Sequence, residues 1–187
     1  MNGYEIRSAC EADFPALSRL WEEVFGDGED FTSAFFSALW TPGCCRAAFT
    51  AGGELAAMGF CLTGPAAGAY RCGYIYAMAT RSEHRGRGLA AAIGRALVEG
   101  AFASGADIVA TLPAEESLNA WYETRLGMAP AFKKGGEGVA FPESWRRFAE
   151  KYCPEHDPDT PGALLAVARE GADLDAVRGL GWELTLD

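Results

Sequence analysis

A chain of 187 residues, 49% hydrophobic and 22% charged, can bury one good core, which predicts a single globular domain with a modest extension. Sixteen Lys and Arg against 26 Asp and Glu leave a formal charge of −10, which argues against nucleic acid as a partner, because phosphate binding needs clustered cations. No run reaches the ~18 apolar residues of a spanning helix and the start has no basic-then-apolar leader, so no membrane contact and a cytoplasmic location are expected. The six cysteines (10, 44, 45, 61, 72 and 153) form no CxxC pair and lie mostly in apolar stretches, as buried reduced thiols do.

Tyr4-Glu5-Ile6 predicts a short opening strand. Phe14, Leu17, Leu20/Trp21 and Val24/Phe25 mark one face of a first helix, with Pro15 tolerable only in its first turn and Gly26-Asp27-Gly28 at its end. Phe31, Phe35/Phe36 and Leu39 give a second helix, closed by Pro42-Gly43. Strands are expected near 45–50 and 54–62, joined by Ala51-Gly52-Gly53, with Gly64-Pro65 through Gly68 as a loop.

The stretch from Gly73 to Thr80 carries aromatic and branched residues suited to a buried strand. After it comes Arg85-Gly86-Arg87-Gly88-Leu89-Ala90, and then Leu89, Ile93, Ala96, Leu97 and Ala101 at helical spacing. A strand that feeds a glycine turn into a helix presents unpaired backbone N–H groups, which together with the helix dipole bind phosphate. Gly86 and Gly88 let the backbone approach an anion, and Arg85 and Arg87 add positive charge to an acidic chain.

A second apolar run, Asp107 to Leu112, precedes Pro113 to Met128, which reads as a helix carrying Asn119 and Tyr122 and ended by a left-handed Gly127. Strand, helix, strand in this order requires a parallel pair. Lys133-Lys134-Gly135-Gly136 reads as a loop, and Trp145, Phe148/Ala149 and Tyr152 as an amphipathic helix opened by Pro142. Residues 154–162, rich in proline and acid, read as a linker, followed by strands at Leu164–Ala168 and Trp182–Leu186.

Arg85-x-x-Gly88-x-Ala90 resembles the acetyl-CoA pyrophosphate loop (R/Q-x-x-G-x-G/A) of the GNAT superfamily of N-acetyltransferases. Residues 113–128 resemble the family's last conserved block, with Met128 where an aromatic is usual, and the likeness covers roughly residues 3–134. Thr111-Leu112-Pro113-Ala114-Glu115-Glu116 also looks like enhanced-intracellular-survival-type acetyltransferases, whose further domains this chain is too short to hold. The resemblance implies an α/β (mixed α+β) fold: a twisted mixed sheet, helices on both faces and splayed parallel central strands. It makes residues 1–140 the acetyltransferase domain and 141–187 a helix-plus-strand extension packed on or completing the same sheet.

By the same resemblance acetyl-CoA is the cosubstrate. It is held by the amides of Met78, Ala79 and Thr80 and by the loop Arg85, Gly86, Arg87, Gly88, Leu89 and Ala90, with Asn119 on the pantetheine arm. Tyr122 is the candidate general acid: a phenol of pKa near ~10 keeps its proton at neutral pH, and a thiolate of pKa near ~8.5 accepts it on leaving. Read without the family, Tyr122 belongs to the stripe Leu118, Tyr122, Leu126, a core pattern.

The general base stays open. Tyr74–Thr80 holds no carboxylate; Glu22, Glu23, Asp27, Glu29 and Asp30 are substitutes, each better read singly as a solvated surface acid, and the terminal carboxylate at Asp187 is another if the last strand returns to the cleft. His84 is expected at the surface before the loop; His156 with Asp157 and Asp159 lacks standard ligand spacing, so no metal is expected. No Gly-x-Ser-x-Gly elbow or Gly-x4-Gly-Lys-[Ser/Thr] loop occurs. The partner expected is a small-molecule or peptide amine, which an acidic surface favours though acidity also serves solubility alone, with a homodimer as the assembly. Two rivals remain: a CoA-binding sensor or interaction module without turnover, and a phosphate-binding α/β domain for another nucleotide.

Overall fold

The computed structural model describes residues 3–153 and 162–186. The chain divides into two compact units, Met1–Leu62 with Ile75–Gly100, and Thr63–Tyr74 with Ala101–Asp187.

The first unit contains β1 (Tyr4–Ser8), α1 (Phe14–Phe25), α2 (Glu29–Leu39), β2 (Cys45–Thr50), the start of β3 (Leu55–Ala67), the end of β4 (Tyr70–Thr80) and α3 (Leu89–Ala103) up to Gly100. Its strand order is β1-β2-β3-β4. β2 is antiparallel to both neighbours, from Tyr4↔Thr50 to Ser8↔Arg46 on one side and from Cys45↔Phe60 on the other. Pro15 stands in the first turn of α1, where its missing N–H costs nothing, and Gly26 at φ 78 ends the helix with its N–H on Glu22 O. Leu17, Leu20 and Trp21 of α1 and Phe35 and Phe36 of α2 are buried. Trp21, Phe35 and Phe60 meet with ring centroids 4.8–5.5 Å apart, and burying each is worth about 1.5–3 kcal/mol. α3 lays Ile93 and Leu97 against Gly59: a Cβ there would clash with Met78 Sδ and lie 3.1 Å from Ile93 Cγ2, so only glycine lets strand and helix approach.

The second unit begins with the far end of the β3–β4 hairpin and adds β5 (Ile108–Thr111), α4 (Asn119–Leu126), β6 (Ala129–Lys134), β7 (Val139–Ala140), α5 (Glu143–Tyr152), β8 (Ala163–Ala168) and β9 (Gly181–Trp182). The order is β4-β5-β8-β6-β9, with β7 on β3. β8 is antiparallel to both β5 (Ile108↔Ala168 to Thr111↔Leu165) and β6 (Ala129↔Ala166 to Lys133↔Ala163), while β9 runs parallel to β6. Mixed strand directions and flanking helices give the mixed α/β fold expected from the sequence. Phe132, Trp145 and Trp182 are fully buried, and Tyr74 packs on Trp145 and Trp182 while its hydroxyl donates to Thr185 O at 2.7 Å.

Three segments differ from the sequence reading. Gly64–Gly68 is not a loop: β3 continues to Ala67, because Ala66 and Ala67 pair with Ala140 and Val139 of β7, and Gly64 at φ 135 absorbs the irregularity before Pro65. Lys133 and Lys134 belong to β6, held by β8 and β9. The last strand stops at Trp182; Thr185 and Leu186 are nevertheless buried, fixed by the Tyr74–Thr185 bond and by Trp182 Nε1 donating to Leu184 O at 3.0 Å. Most of the expected linker, 154–161, lies outside the described residues.

Candidate cofactor-binding and catalytic residues

β4 is regular through its buried residues Tyr74 and Ile75, then kinks at Ala77, whose φ of 49 is a left-handed backbone on a residue that has a Cβ. Such a conformation costs about 1–2 kcal/mol and re-aims the N–H and C=O groups that follow it, which are those of Met78, Ala79 and Thr80. Ala79 is buried, and Met78 and Thr80 are half-buried.

A 3-10 turn at Ser82–His84 then leads into Arg85–Gly88, fully on the surface, and Leu89, buried, seats the first turn of α3. Gly86 and Gly88 have φ of 74 and 77, and nothing lies within 4 Å of where their Cβ atoms would be. Glycine is therefore required by backbone conformation, and the space above the loop is open. Arg85 Nε donates to Thr80 O at 3.2 Å and an Arg87 terminal nitrogen to Glu83 O at 3.1 Å. These bonds tie the loop to the kinked strand and leave both guanidiniums at its surface. The first N–H groups of the fifteen-residue α3 have no partner within the helix, and such groups, with the helix dipole, favour an anion.

His84 is not simply at the surface. It is half-buried, edge-on to Tyr4 with its Nδ1 2.9 Å from the tyrosine hydroxyl. One of its ring nitrogens, with the carboxylates of Glu54 and Glu83, forms a group of potential metal ligands among the described residues, within 4.8 Å of one another. Arg81 pairs with Glu54 at 3.0 Å and also faces Glu23 at 3.7 Å. The expected weakness of His156, Asp157 and Asp159 as ligands concerns residues outside those described, as does Asp187.

The second unit holds the other two predicted residues. α4 is entered through a 3-10 turn at Glu116–Leu118 and ended by Gly127 at φ 67. Asn119 and Tyr122 lie one turn apart on it, so they share a face. Tyr122 is buried, its ring edge-on to Trp121 at 4.9 Å. Burial pushes the Tyr122 phenol above its ordinary value of 10, the side chain of Thr111, the last residue of β5, offsets part of this, and the group is protonated at neutral pH. Asn119 Oδ1 is buried and has no hydrogen-bond partner among the described residues, an acceptor that fits an amide N–H of a pantetheine arm.

Met78, Ala79 and Thr80 are thus brought together with Arg85–Ala90 in the first unit, and Asn119 with Tyr122 in the second. Of the candidate bases, Glu22, Asp27 and Glu29 line a groove of about 780 Å³ between α1 and α2, together with Phe14, Phe36 and Trp40. Asp27 accepts from Trp21 Nε1 at 2.8 Å, and Glu23 faces Arg81 at 3.7 Å. Sequence reasoning missed Ala77 and Thr111. The first carries no local signal, since alanine does not announce a left-handed backbone, and the second is recognisable only through its partner on another element.

A family model described as an acetyltransferase (GNAT) domain matches residues 5–124. No curated protein matches the sequence. The chain is similar in structure to YhbS of Escherichia coli, a GNAT family N-acetyltransferase solved in complex with CoA: the TM-score is 0.68 at 15% identity, over 97% of this chain and 90% of that one. A chain of the NatC complex bound to Gag peptide and CoA gives 0.65 at 13% identity, over 89% and 99%, and a Trypanosoma brucei acetyltransferase gives 0.55 at 18%, over 67% and 92%. At these identities the likenesses establish the fold alone. The family match, by contrast, runs from β1 into α4 and takes in the kinked strand, the glycine loop, Asn119 and Tyr122; the chain belongs to the GNAT acetyltransferase family.

Proposed function

We propose that the protein transfers an acetyl group from acetyl-CoA to a primary amine by direct attack within a ternary complex. The observation that carries this reading is the run in the first unit from the left-handed Ala77 through Gly86 and Gly88, both left-handed with open space beside them, to the start of α3. Acetyl-CoA supplies the activated acyl thioester. The amides of Met78 to Thr80 hold the cofactor and polarise the thioester carbonyl, the amides of Arg85 to Ala90 take its pyrophosphate, and Arg85 and Arg87 add charge. Asn119 Oδ1 accepts from the pantetheine arm, and the protonated Tyr122 gives its proton to the departing thiolate.

Three of the six cysteines fit direct attack: Cys44, Cys45 and Cys72 are buried and burial pushes their thiols up, that of Cys72 to about 12, so none of these three is a thiolate at neutral pH. An amine resembling lysine, with pKa near ~10.4, must lose a proton before attack, and Glu22, Asp27 and Glu29 of the α1–α2 groove are acceptors for it, directly or through water. Small amines and peptide amines both suit this reading; the NatC neighbour was solved with a peptide. In it, residues 1–140 form the transferase domain and 141–187 an extension contributing β8, and the enzyme works in the cytoplasm.

A second reading, a CoA-binding module without turnover, is favoured by one observation: β4 carries no carboxylate from Tyr74 to Thr80. Calorimetric titration with acetyl-CoA and desulfo-CoA, with an Arg85→Ala/Arg87→Ala control, tests the cofactor site, and micromolar binding weakened by the control is expected. Folded protein that binds neither compound sinks both readings. Turnover of any amine in a screen separates the first from the second.

A further inference from the structure

We propose that the groove between α1 and α2 selects the acetyl acceptor, and that this acceptor is a primary amine joined by a flexible spacer to an aromatic ring. The inference rests on the proposed acetylation of an amine and names the class of amine.

The groove, of about 780 Å³, has the size of a small-molecule site and two unlike ends. The helices run antiparallel, since Phe14 at the start of α1 meets the end of α2. Its ring stacks on Phe36 with centroids 4.3 Å apart and planes 8° from parallel, and Trp40 stands edge-on to it at 4.7 Å. Phe36 is buried and Phe14 and Trp40 are half-buried, and all three line the groove. A flat ring added to such a cluster gains both burial and stacked or edge-on contact. Glu22, Asp27 and Glu29 line the other end, where the Gly26–Gly28 turn joins the helices. The stretch between is walled by the short side chains of Ser18, Ser33 and Ser37, which leave room for a spacer.

Charge decides where the ammonium goes. Among the lining residues Arg19 is the one cation, against the carboxylates of the acidic end and of Glu11. A second ammonium at the ring end would find a single exposed carboxylate, Glu11, and would pass Arg19 on the way, whereas a ring finds three rings. The groove thus suits one cation and one ring rather than a polyamine. From Phe14 to Glu22 the helix rises about 12 Å, so ammonium and ring are roughly 8–12 Å apart, a spacer of about four to six methylenes.

The groove's helices also rest on the cofactor strand. Trp21 and Phe35 each pack on Tyr76 at 5.8 Å, the residue before the left-handed Ala77. An ammonium at the acidic end gives its proton to a carboxylate there. Its nitrogen then forms a bond to the acetyl carbon as the thioester C–S bond breaks, and Tyr122 protonates the thiolate.

The test is a series of phenylalkylamines with spacers from one methylene to six, at saturating acetyl-CoA, with n-pentylamine and spermidine alongside. 5-Phenylpentylamine should exceed benzylamine, n-pentylamine and spermidine in kcat/KM by about tenfold or more. Trp40→Leu keeps an apolar side chain and removes the ring. It should raise KM for 5-phenylpentylamine about fivefold and leave KM for n-pentylamine and affinity for acetyl-CoA within about twofold. Spermidine or n-pentylamine used as well as 5-phenylpentylamine overturns the proposal, as does a Trp40→Leu enzyme that weakens every amine alike. Ser33→Trp fills the groove from its exposed wall, leaves the core alone and serves if Trp40→Leu does not fold. It should abolish the preference for the ring, and an unaltered preference overturns the proposal. If acetyl-CoA binds and no amine is turned over, the transfer reading fails. Calorimetry of 5-phenylpentylamine into CoA-loaded protein then decides the groove by itself: binding weakened in Ser33→Trp sustains its selectivity, and no binding overturns it.

Discussion

The glycine loop of the first unit and the β5–α4 region of the second are built on opposite principles. From Arg85 to Gly88 the chain is exposed, its two arginines bond the carbonyls of Thr80 and Glu83, and its backbone is set by two left-handed glycines with open space beside them. At Thr111 and Tyr122 the backbone is ordinary strand and helix, and all that is offered is buried side chain. A pyrophosphate is large, charged and tolerant of several donor geometries, so exposed amides can hold it. A proton transfer requires one atom at one place with a controlled affinity for its proton, which demands a buried side chain with a fixed partner.

Damage to the two regions should therefore appear in different kinetic constants. The largest effect is expected from Tyr122→Phe, which keeps the ring and its packing: kcat should fall about 10²-fold while calorimetric affinity for CoA stays as in wild type. A parallel loss of affinity would mean that Tyr122 serves cofactor holding and that the division of labour is wrong. Gly88→Ala comes next. Since the space around its Cβ is open, the cost is confined to the left-handed backbone, about 1–2 kcal/mol, and acetyl-CoA should bind roughly tenfold more weakly with kcat at saturation nearly unchanged. An unaltered dissociation constant would show that the loop backbone does not carry the cofactor.

Arg85→Ala/Arg87→Ala should cost less, about three- to fivefold in affinity, because both guanidiniums are solvent-exposed, and the loss should shrink further as salt is raised. A salt-independent collapse of binding would transfer the main role from amides to side chains.

The smallest effect concerns stability rather than chemistry, at the start of β5. Asp107 accepts from the Arg71 N–H at 2.8 Å and pairs with Arg169, and these bonds, the backbone one foremost, hold its carboxyl below the ordinary aspartate range. A lowered folded-state pKa stabilises the fold above the unfolded value, near 3.8, and that stability is lost as pH falls through the lowered one. Wild type should accordingly lose melting temperature below about pH 4 more steeply than Asp107→Asn, as thermal melts across that range would register; equal slopes would mean that the Asp107 network does not report on acid stability.

Much of the frame was legible in the residues. Helices α1 and α2, the glycine loop of Arg85–Gly88 and the stop at Gly127 follow from signals a few residues long: apolar spacing of one helical turn, a proline allowed only in the first turn, glycines where φ must be positive. The family likeness lay in the same local segments, Arg85–Ala90 and the helix of Asn119 and Tyr122, so it too was readable along the chain. What the sequence left unreadable is what depends on distant partners. Ala66 and Ala67 are strand because Ala140 and Val139 lie beside them, β8 stands between β5 and β6 although it comes after both, and Thr185 is buried in irregular chain because the Tyr74 hydroxyl binds its carbonyl. The left-handed Ala77 is of this kind as well. Local conformational preference, worth about 1 kcal/mol or less per residue, is written in each residue and its near neighbours. Strand pairing and buried hydrogen bonds are settled by which groups the folded chain brings into contact, and that choice belongs to the tertiary structure.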